Sequence, residues 1–271
     1  MSTLSWNCRG LGGPRTVREL LGFVSAKRPN FFFLMETKAK MNQLEQLRSR
    51  LGYEGLLGVD RVGLGGGLAL LWQNSDMADL LSYSNNHIDV VVNVTSKPPW
   101  RLTCFYGYPE RARRQQAWDF LRDLKRRSSL PWVVIGDFND LACHSEKIGG
   151  AGHPENLIRG FNDALQDCEL FDLGYRGYGF TWERGRGTDH WIEERLDRAV
   201  CTPDWRDLYN DASVLTLHAI SSVHSAIFMD LNSRNIRHPP RRFKFEAAWL
   251  LDANCKQVVE ASWWQSAGLD F

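Results

Sequence analysis

The sequence predicts an α/β protein, α+β in its mixture of elements, built on mixed β-sheets, and three observations carry that reading. Short runs of bulky or β-branched apolar residues interleave with stretches of helical spacing. The strand-like runs outnumber the helical ones. Glycine punctuation joins several runs in the manner of hairpins, which favours mixed sheets over a doubly wound parallel sheet.

Taken in order, the chain opens on a short strand-like start, Leu4 to Asn7, and Gly10, Gly12, Gly13 and Pro14 force a loop behind it. Residues 15 to 28 space Val17, Leu20, Leu21 and Val24 for one helix face, and residues 40 to 51 do the same with Met41, Leu44, Leu47 and Leu51. Between them, Phe31 to Met35 reads as a strand, as do 68 to 72, 88 to 94 and 101 to 106. Helical spacing returns at 112 to 127 and 155 to 166. The run Pro131 to Ile135, closed by Gly136, reads as a buried strand.

Composition narrows function mainly by exclusion. With 271 residues the chain is long enough for one large core, and its net charge of +1 gives no global polyanion signal. Six cysteines form no CxxC pair, and reduced thiols in an intracellular compartment are the expectation. There is no basic and apolar leader and no apolar run near the ~20 residues of a membrane span, so no membrane role is implied. The segment Gly63 to Gly67 lacks the Gly-Lys-Ser/Thr ending of a phosphate loop and precedes a strand, so it reads as a turn. The basic stretch Arg111 to Arg127 reads as a solvated helix face over a buried stripe of Trp118, Leu121 and Leu124. His87, His144, His153, His190, His218 and His238 read as surface or loop residues.

Polar residues recur at the ends of the apolar runs. Asp137 and Asn139 follow the strand closed by Gly136, and alternation along an extended backbone puts both on one side. An unpaired buried carboxylate is costly, so such a pair asks for a metal, a partner charge or a polar ligand. An Asp-Asn turn bonding its own backbone is the other reading. Asn7, Glu36 and Tyr106 stand at strand ends in the same way, and Thr181, Asp197 and the Ser222-Val223-His224 segment follow later.

The ordered set Trp6-Asn7, Glu36-Thr37, Tyr106-Gly107, Gly136-Asp137-Phe138-Asn139, Thr181-Trp182, Leu196-Asp197-Arg198 and Ser222-x-His224 resembles the endonuclease/exonuclease/phosphatase family. The wording "SWNCRGLGGPRTVREL", "FFFLMETK", "GGGLALLW" and "FYGYP" is similar to the endonuclease region of plant LINE-type non-LTR retrotransposons. The resemblance implies a deoxyribonuclease-I-like four-layer sandwich, two packed mixed β-sheets flanked by helices, over residues 1–230. It implies that residues 231–271, with "RRFKFEAAWL", are a truncated connector before a reverse transcriptase carried in cis, packing on no core.

The same resemblance implies a Mg²⁺-dependent phosphodiesterase, with Mn²⁺ as substitute, that nicks DNA as a monomer inside the cell, in the nucleus. In it Glu36 and Asn7 hold the metal, Asp137 deprotonates the attacking water, and Asn139 holds nucleophile and phosphate. His224, oriented by Asp197, and Tyr106 donate to the phosphate, while Thr181 and Ser222 face the substrate. The alternatives are a catalytically impaired DNA-binding remnant, or another phosphoester hydrolase of the fold acting on abasic DNA, a phosphoinositide or an RNA tail. Arg9 stands where some repair-enzyme relatives carry an acid, and an arginine there resembles the plant elements.

One departure marks the chain: Val223 stands where the family has an aspartate beside the histidine. Outer-shell partners of metal sites alter affinity or activity by roughly 10 to 100 fold. Val223→Asp is therefore expected to lower the metal concentration for half-maximal nicking and to raise the rate by roughly 10 fold or more. Nicking measured against metal concentration for both forms checks this, and identical curves would show that valine is tolerated.

Overall fold

The structure, a computed structural model, describes residues 1–60, 66–95 and 97–232. The expected connector lies outside the described residues from 233 onward, as do residues 61–65 of the glycine-rich turn.

Six strands form the first sheet: β1 (Ser2–Asn7), β2 (Phe31–Met35), β3 (Gly55–Val59) and β4 (Leu68–Trp72), joined by β14 (Ser213–Leu217) and β15 (Ala226–Asp230). Their order is β14-β15-β1-β2-β4-β3, and only β1 and β2 run parallel. The second sheet takes β5 (Ala78–Ser84), β6 (His87–Val94), β7 (Lys97–Tyr106), β8 (Trp132–Asp137), β10 (Phe171–Asp172) and β13 (Asp197–Cys201). Its order is β10-β13-β8-β7-β6-β5, with β7 and β8 as its parallel pair. A small third sheet joins β9 (Lys147–Ile148), β11 (Trp182–Arg184) and β12 (Ile192–Glu194).

Strand alternation explains the layers. In β2, Phe31, Phe33 and Met35 turn to the core between the two sheets, where they meet Val90, Leu102, Val133 and Ile135 of the second sheet. Phe32 and Leu34 turn outward to Leu20 of helix α1 (Pro14–Lys27) and to Leu44 and Leu47 of α2 (Met41–Leu51). On the second sheet's outer face, Trp132 and Val134 meet α3 (Arg114–Arg126) through Trp118 and Leu121, and α4 (Glu155–Asp167) through Phe161 and Ala164. The result is helix, sheet, sheet, helix. A strand buried on both faces reads as a continuous apolar run, which is why Phe31 to Met35 is so plain in the sequence. Burying each such side chain contributes about 1.5–3 kcal/mol. A short helix, α5 (Pro203–Leu208), leads into β14 through the buried Trp205.

The expected elements form with shifted limits. The strand expected at 101 to 106 begins at Lys97, and the helix expected from 112 follows a 3₁₀ turn over Arg111–Arg113. Of the basic stretch, Arg122, Lys125, Arg126 and Arg127 pair to Asp119, Asp123, Asp167 and Glu169 on the solvated side, while Arg114 departs from that reading and is buried against Asp140. Two histidines depart from the surface reading. His87 lies buried on β6 between the hydroxyls of Ser82 and Ser84, and burial pushes its pKa down to about 4. His153 is buried 3.5 Å from Asp140. The five described cysteines are free thiols. Among the described residues, no helix is long and apolar enough to cross a membrane.

The pairing of β7 with β8 depends on one glycine. Gly136 lies opposite Phe105, and a Cβ there would stand 1.9 Å from the Phe105 carbonyl oxygen. Its φ of +150° is also unfavourable for a side chain. Gly136→Ala is expected to cost about 3 kcal/mol or more, combining overpacking with backbone strain. Urea unfolding measures it, and a loss below about 1 kcal/mol would mean that β7 and β8 can separate freely there.

Candidate active site

The parallel pairs aim their carboxyl ends at one edge of the sandwich. β1 ends on Asn7, β2 runs into Glu36, β7 ends on Tyr106 and β8 ends on Asp137. The antiparallel neighbours bring the starts of their strands to the same edge. Asp197 opens β13 directly opposite Asp137, and His224 stands just before β15. Six residues spread over more than 200 positions of sequence are thus gathered at one edge by strand direction alone.

Asn7 joins them. Its Nδ2 donates to Glu36 Oε1 at 3.0 Å and to Asp137 Oδ2 at 3.0 Å, one acceptor following a strand of each sheet. Tyr106 donates its hydroxyl to the same Glu36 Oε1 at 3.1 Å, while Arg9 and Lys38 balance Oε2 at 3.9 and 3.7 Å. On the other side, His224 Nδ1 donates to Asp197 Oδ2 at 3.0 Å and lies 3.7 Å from Asp137 Oδ2. His224 Nε2 has no protein partner among the described residues. Asp137 Oδ1 accepts the Asn139 backbone N–H at 2.9 Å.

Alternation does not place Asn139, contrary to the sequence expectation. β8 ends at Asp137, Asn139 turns into the left-handed region at φ +54°, and its Nδ2 donates to the Gly107 carbonyl at 3.0 Å. The Asp-Asn turn and the polar site are therefore one structure. Arg9, Glu36 and Lys38 share the left-handed conformation, at φ of +53°, +51° and +50°. Non-glycine residues held there cost of order 1–3 kcal/mol each and cluster at functional sites. All four follow the ends of β1, β2 or β8.

Thr181 and Ser222, expected to face substrate, have committed hydroxyls. Thr181 is buried, and its Oγ1 accepts the N–H groups of Leu196 and Asp197 at 3.0 and 2.9 Å, setting the start of β13. Ser222 Oγ donates to the Asn7 carbonyl at 2.8 Å and accepts the His224 N–H at 3.1 Å. Both hold the site from beneath. Val223 gives its carbonyl to the Glu183 N–H and lines a small cleft with Tyr178 and Trp182, a cleft that Glu36 does not line.

Sequence reasoning missed several supports. Trp6 Nε1 donates to the His224 carbonyl at 3.0 Å, and Glu19 of α1 accepts the N–H groups of Ile220 and Ser221 at 2.6 and 2.8 Å, clamping the loop that leads to His224. Arg198, fully buried beside Asp197, pairs with Glu146 and Asp172 at 2.8 and 3.0 Å. Arg114 pairs with Asp140, behind the Asn139 turn, at 2.8 Å. Trp6 and Arg198 stand within the motifs quoted for the family, but no local pattern announces their contacts, nor Glu19 or Arg114.

Burial sets the electrostatics. It pushes the Asp137 carboxyl up to about 6, the Asp197 charge adds to the rise, and His224, Asn7 and the Asn139 N–H oppose it. Burial alone would lower His224, but the Asp197 and Asp137 charges and the Asp197 hydrogen bond outweigh it and raise the imidazole. Asp137, Asp197 and His224 present ligand atoms within 4.8 Å of one another, enough to hold a metal ion. The His224 to Asp197 hydrogen bond marks them instead as an acid-base pair beside a carboxylate, since a metal on Nδ1 would displace that proton. Glu36 and Asn7 suit a hard cation better. Asn7 Oδ1 is buried without a hydrogen-bond partner, and an amide oxygen beside a carboxylate matches the all-oxygen preference of Mg²⁺.

The endonuclease/exonuclease/phosphatase family model matches residues 4–214, a span holding every site residue named above except those from Ile220 to His224. No curated protein matches the chain. Among solved structures, the chain is similar to the endonuclease domain of TRAS1, a telomere-specific non-LTR retrotransposon, at 17% identity and a TM-score of 0.62, covering 85% of this chain and 98% of that one. The 3′ phosphatase NExo from Neisseria, bound to a product DNA hairpin, is similar at 16% identity and a TM-score of 0.64, covering 85% and 98%. The AP endonuclease LMAP from Leishmania major is similar at 15% identity and a TM-score of 0.64, covering 84% and 86%. At these identities the likeness is one of fold, the deoxyribonuclease-I-like sandwich.

Both raised pKa values carry the same linkage sign. A raised folded pKa means stability that is present at low pH and lost as pH rises, between the ordinary value of 3.8 and about 6 for Asp137 and from 6.5 upward for His224. In an NMR titration the His224 ring should show its midpoint above 6.5, and Asp197→Asn should lower it, because Asp197 is the strongest raising influence. Equal midpoints in the two forms would remove Asp197 as its partner.

Proposed function

The chain belongs to the endonuclease/exonuclease/phosphatase family, and from that premise we propose that it hydrolyses a phosphodiester of DNA, nicking one strand, with Mg²⁺, or Mn²⁺ in its place, held at Glu36 and Asn7. The observation that carries this reading is the joining of two unlike halves by one amide. A carboxylate suited to a hard cation and a buried acid paired with a histidine both meet Asn7, directly or through Asp137.

The residues divide the work by their charge states. Glu36 and Asn7 would hold the cation, which when bound would supply charge neutralisation at the phosphate oxygens. Asp137, with its pKa near 6, is ionised at neutral pH yet basic enough to take a proton from water. His224, kept cationic by Asp197, offers Nε2–H to a phosphate oxygen as negative charge builds. Tyr106 orients Glu36 through its hydroxyl and stands where it can turn that donor to phosphate. Asn139, pinned to Gly107, keeps the Asp137 turn from relaxing.

The biological reading is a retrotransposon target-site endonuclease. The sequence wording and the TRAS1 fold likeness support it. Such an enzyme acts on nuclear DNA, with a reverse transcriptase following in cis. Because one chain supplies every site residue, action as a monomer follows naturally.

A plasmid nicking assay tests the function. Nicking should require added divalent metal and stop with chelator. Glu36→Gln and Asp137→Asn should each slow it by about 100 fold or more while melting stays near the parent value. A variant that cuts as fast as the parent would refute its assignment.

A further inference from the structure

On its Glu36 side the site opens into a cleft of about 700 Å³, walled by Glu36 and Tyr106 and, beyond them, by Arg9, Asn86, Tyr108 and Arg113. Clefts of about 300–1,000 Å³ take drug-sized ligands, so there is room here for a nucleotide unit. Its wall is fixed. Asn86, at the tip of the β5–β6 hairpin, donates Nδ2 to the Tyr106 carbonyl at 2.8 Å. Tyr108 packs against the aromatic cluster beneath α3.

The far end of the cleft is flat. The Arg113 guanidinium carbon stands 3.8 Å from the centre of the Tyr108 ring, and Arg113 Nε reaches Gln116 Oε1 at 3.3 Å. Tyr108 is half-buried and Arg113 is exposed, so core packing supports the ring and the ring supports the guanidinium. What is left facing outward is a planar cation. Nucleobases stack on arginine planes and aromatic rings, at about 1–3 kcal/mol per base on an aromatic. Neither Tyr108 nor Arg113 has a part in the chemistry assigned above, which leaves the platform without a task inside the protein.

A base within a regular duplex is covered on both faces and offers none to such a platform. Extruding a paired base costs a few kcal/mol, and an unpaired base costs least. We propose that this cleft takes the nucleotide next to the scissile phosphate, on the Glu36 side, as an unpaired nucleotide whose base stacks on the Tyr108–Arg113 platform. The substrate is then DNA locally opened at that position. This rests on the nuclease reading above and adds to it a substrate class and two specificity residues.

The test uses the full chain and a duplex oligonucleotide carrying 2-aminopurine, either paired with thymine or unpaired as a one-nucleotide bulge. Binding is read first by 2-aminopurine fluorescence with Ca²⁺ in place of Mg²⁺, and cutting is then read with Mg²⁺. The parent should quench the bulged base, bind the bulged duplex about 5 fold or more tighter than the paired one, and cut beside the bulge. Arg113→Ala and Arg113→Lys should both bring that preference close to one. The lysine form keeps the charge and lacks the plane, so retention of the preference in it would overturn the stacking site. Equal binding of paired and bulged duplex by the parent would overturn it as well. Cutting without preference sinks the stacking site alone. Quenching and preference without any cutting sink the nuclease reading and leave the platform standing.

Discussion

The Asn7 side-chain amide is the constraint on which the rest of the site depends. Two N–H bonds leave one nitrogen at a fixed angle, and each finds a carboxylate that follows a strand of a different sheet. A buried acceptor left without its donor costs about 1–3 kcal/mol, more when charged, so Glu36 and Asp137 are both held to Asn7. Aspartate there would present a third carboxylate with no donors and drive the cluster apart. The amide is held in turn, because Ser222 reaches the Asn7 carbonyl and the same serine receives the His224 N–H. One residue therefore sets the spacing between Glu36 on one side and the Asp137–His224 pair on the other.

Strand direction does the gathering that makes such a residue possible. In each six-stranded sheet the single parallel pair lies among antiparallel neighbours, so two strands finish and their neighbours begin at the same edge. The chain leaves β1, β2 and β8 at once, through left-handed turns at Arg9, Glu36, Lys38 and Asn139. That backbone strain is offset by the buried layers beneath, where β2 and β8 are wholly buried. Rigidity below and strain above come from the same compact strands.

The interior of this fold is legible in the sequence, and its borders are not. β2, β4 and β8 announce themselves as apolar runs because they are buried on both faces, and β6 does so through its valines although Asn93 reaches solvent. The four edge strands, β3, β5, β10 and β14, escape a reading by pattern. β5 carries exposed Leu80 and Tyr83 among polar residues, β3 begins and continues through glycine, and β10 is two residues long. The site follows the same division. Asn7, Glu36, Tyr106 and Asp137 are readable as polar residues where apolar runs stop. Glu19 is invisible, since a glutamate on an amphipathic helix looks like any solvated residue until the 220–221 loop arrives to meet it. Thr181 and Ser222 were readable as members of the site yet not as supports, because a hydroxyl's partner is decided by tertiary packing.

The placement of β1 between β2 and β15 has a consequence for the order in which the molecule comes into being. β1 precedes the other strands of the sandwich in the chain, and β2 can pair with one of its edges almost at once. Its other edge waits for residues 227 to 230, and Trp6 waits equally long for the His224 carbonyl. Contacts of such sequence separation form slowly, and an unpaired apolar edge is open to strand exchange with other chains while it waits. The same delay means that a nascent chain lacks His224, and hence a finished site, until nearly all of the sandwich has been synthesised. Assembly of the residue cluster is thereby deferred to the last strand, and a chain stopped before it would hold Asn7, Glu36 and Asp137 without their histidine.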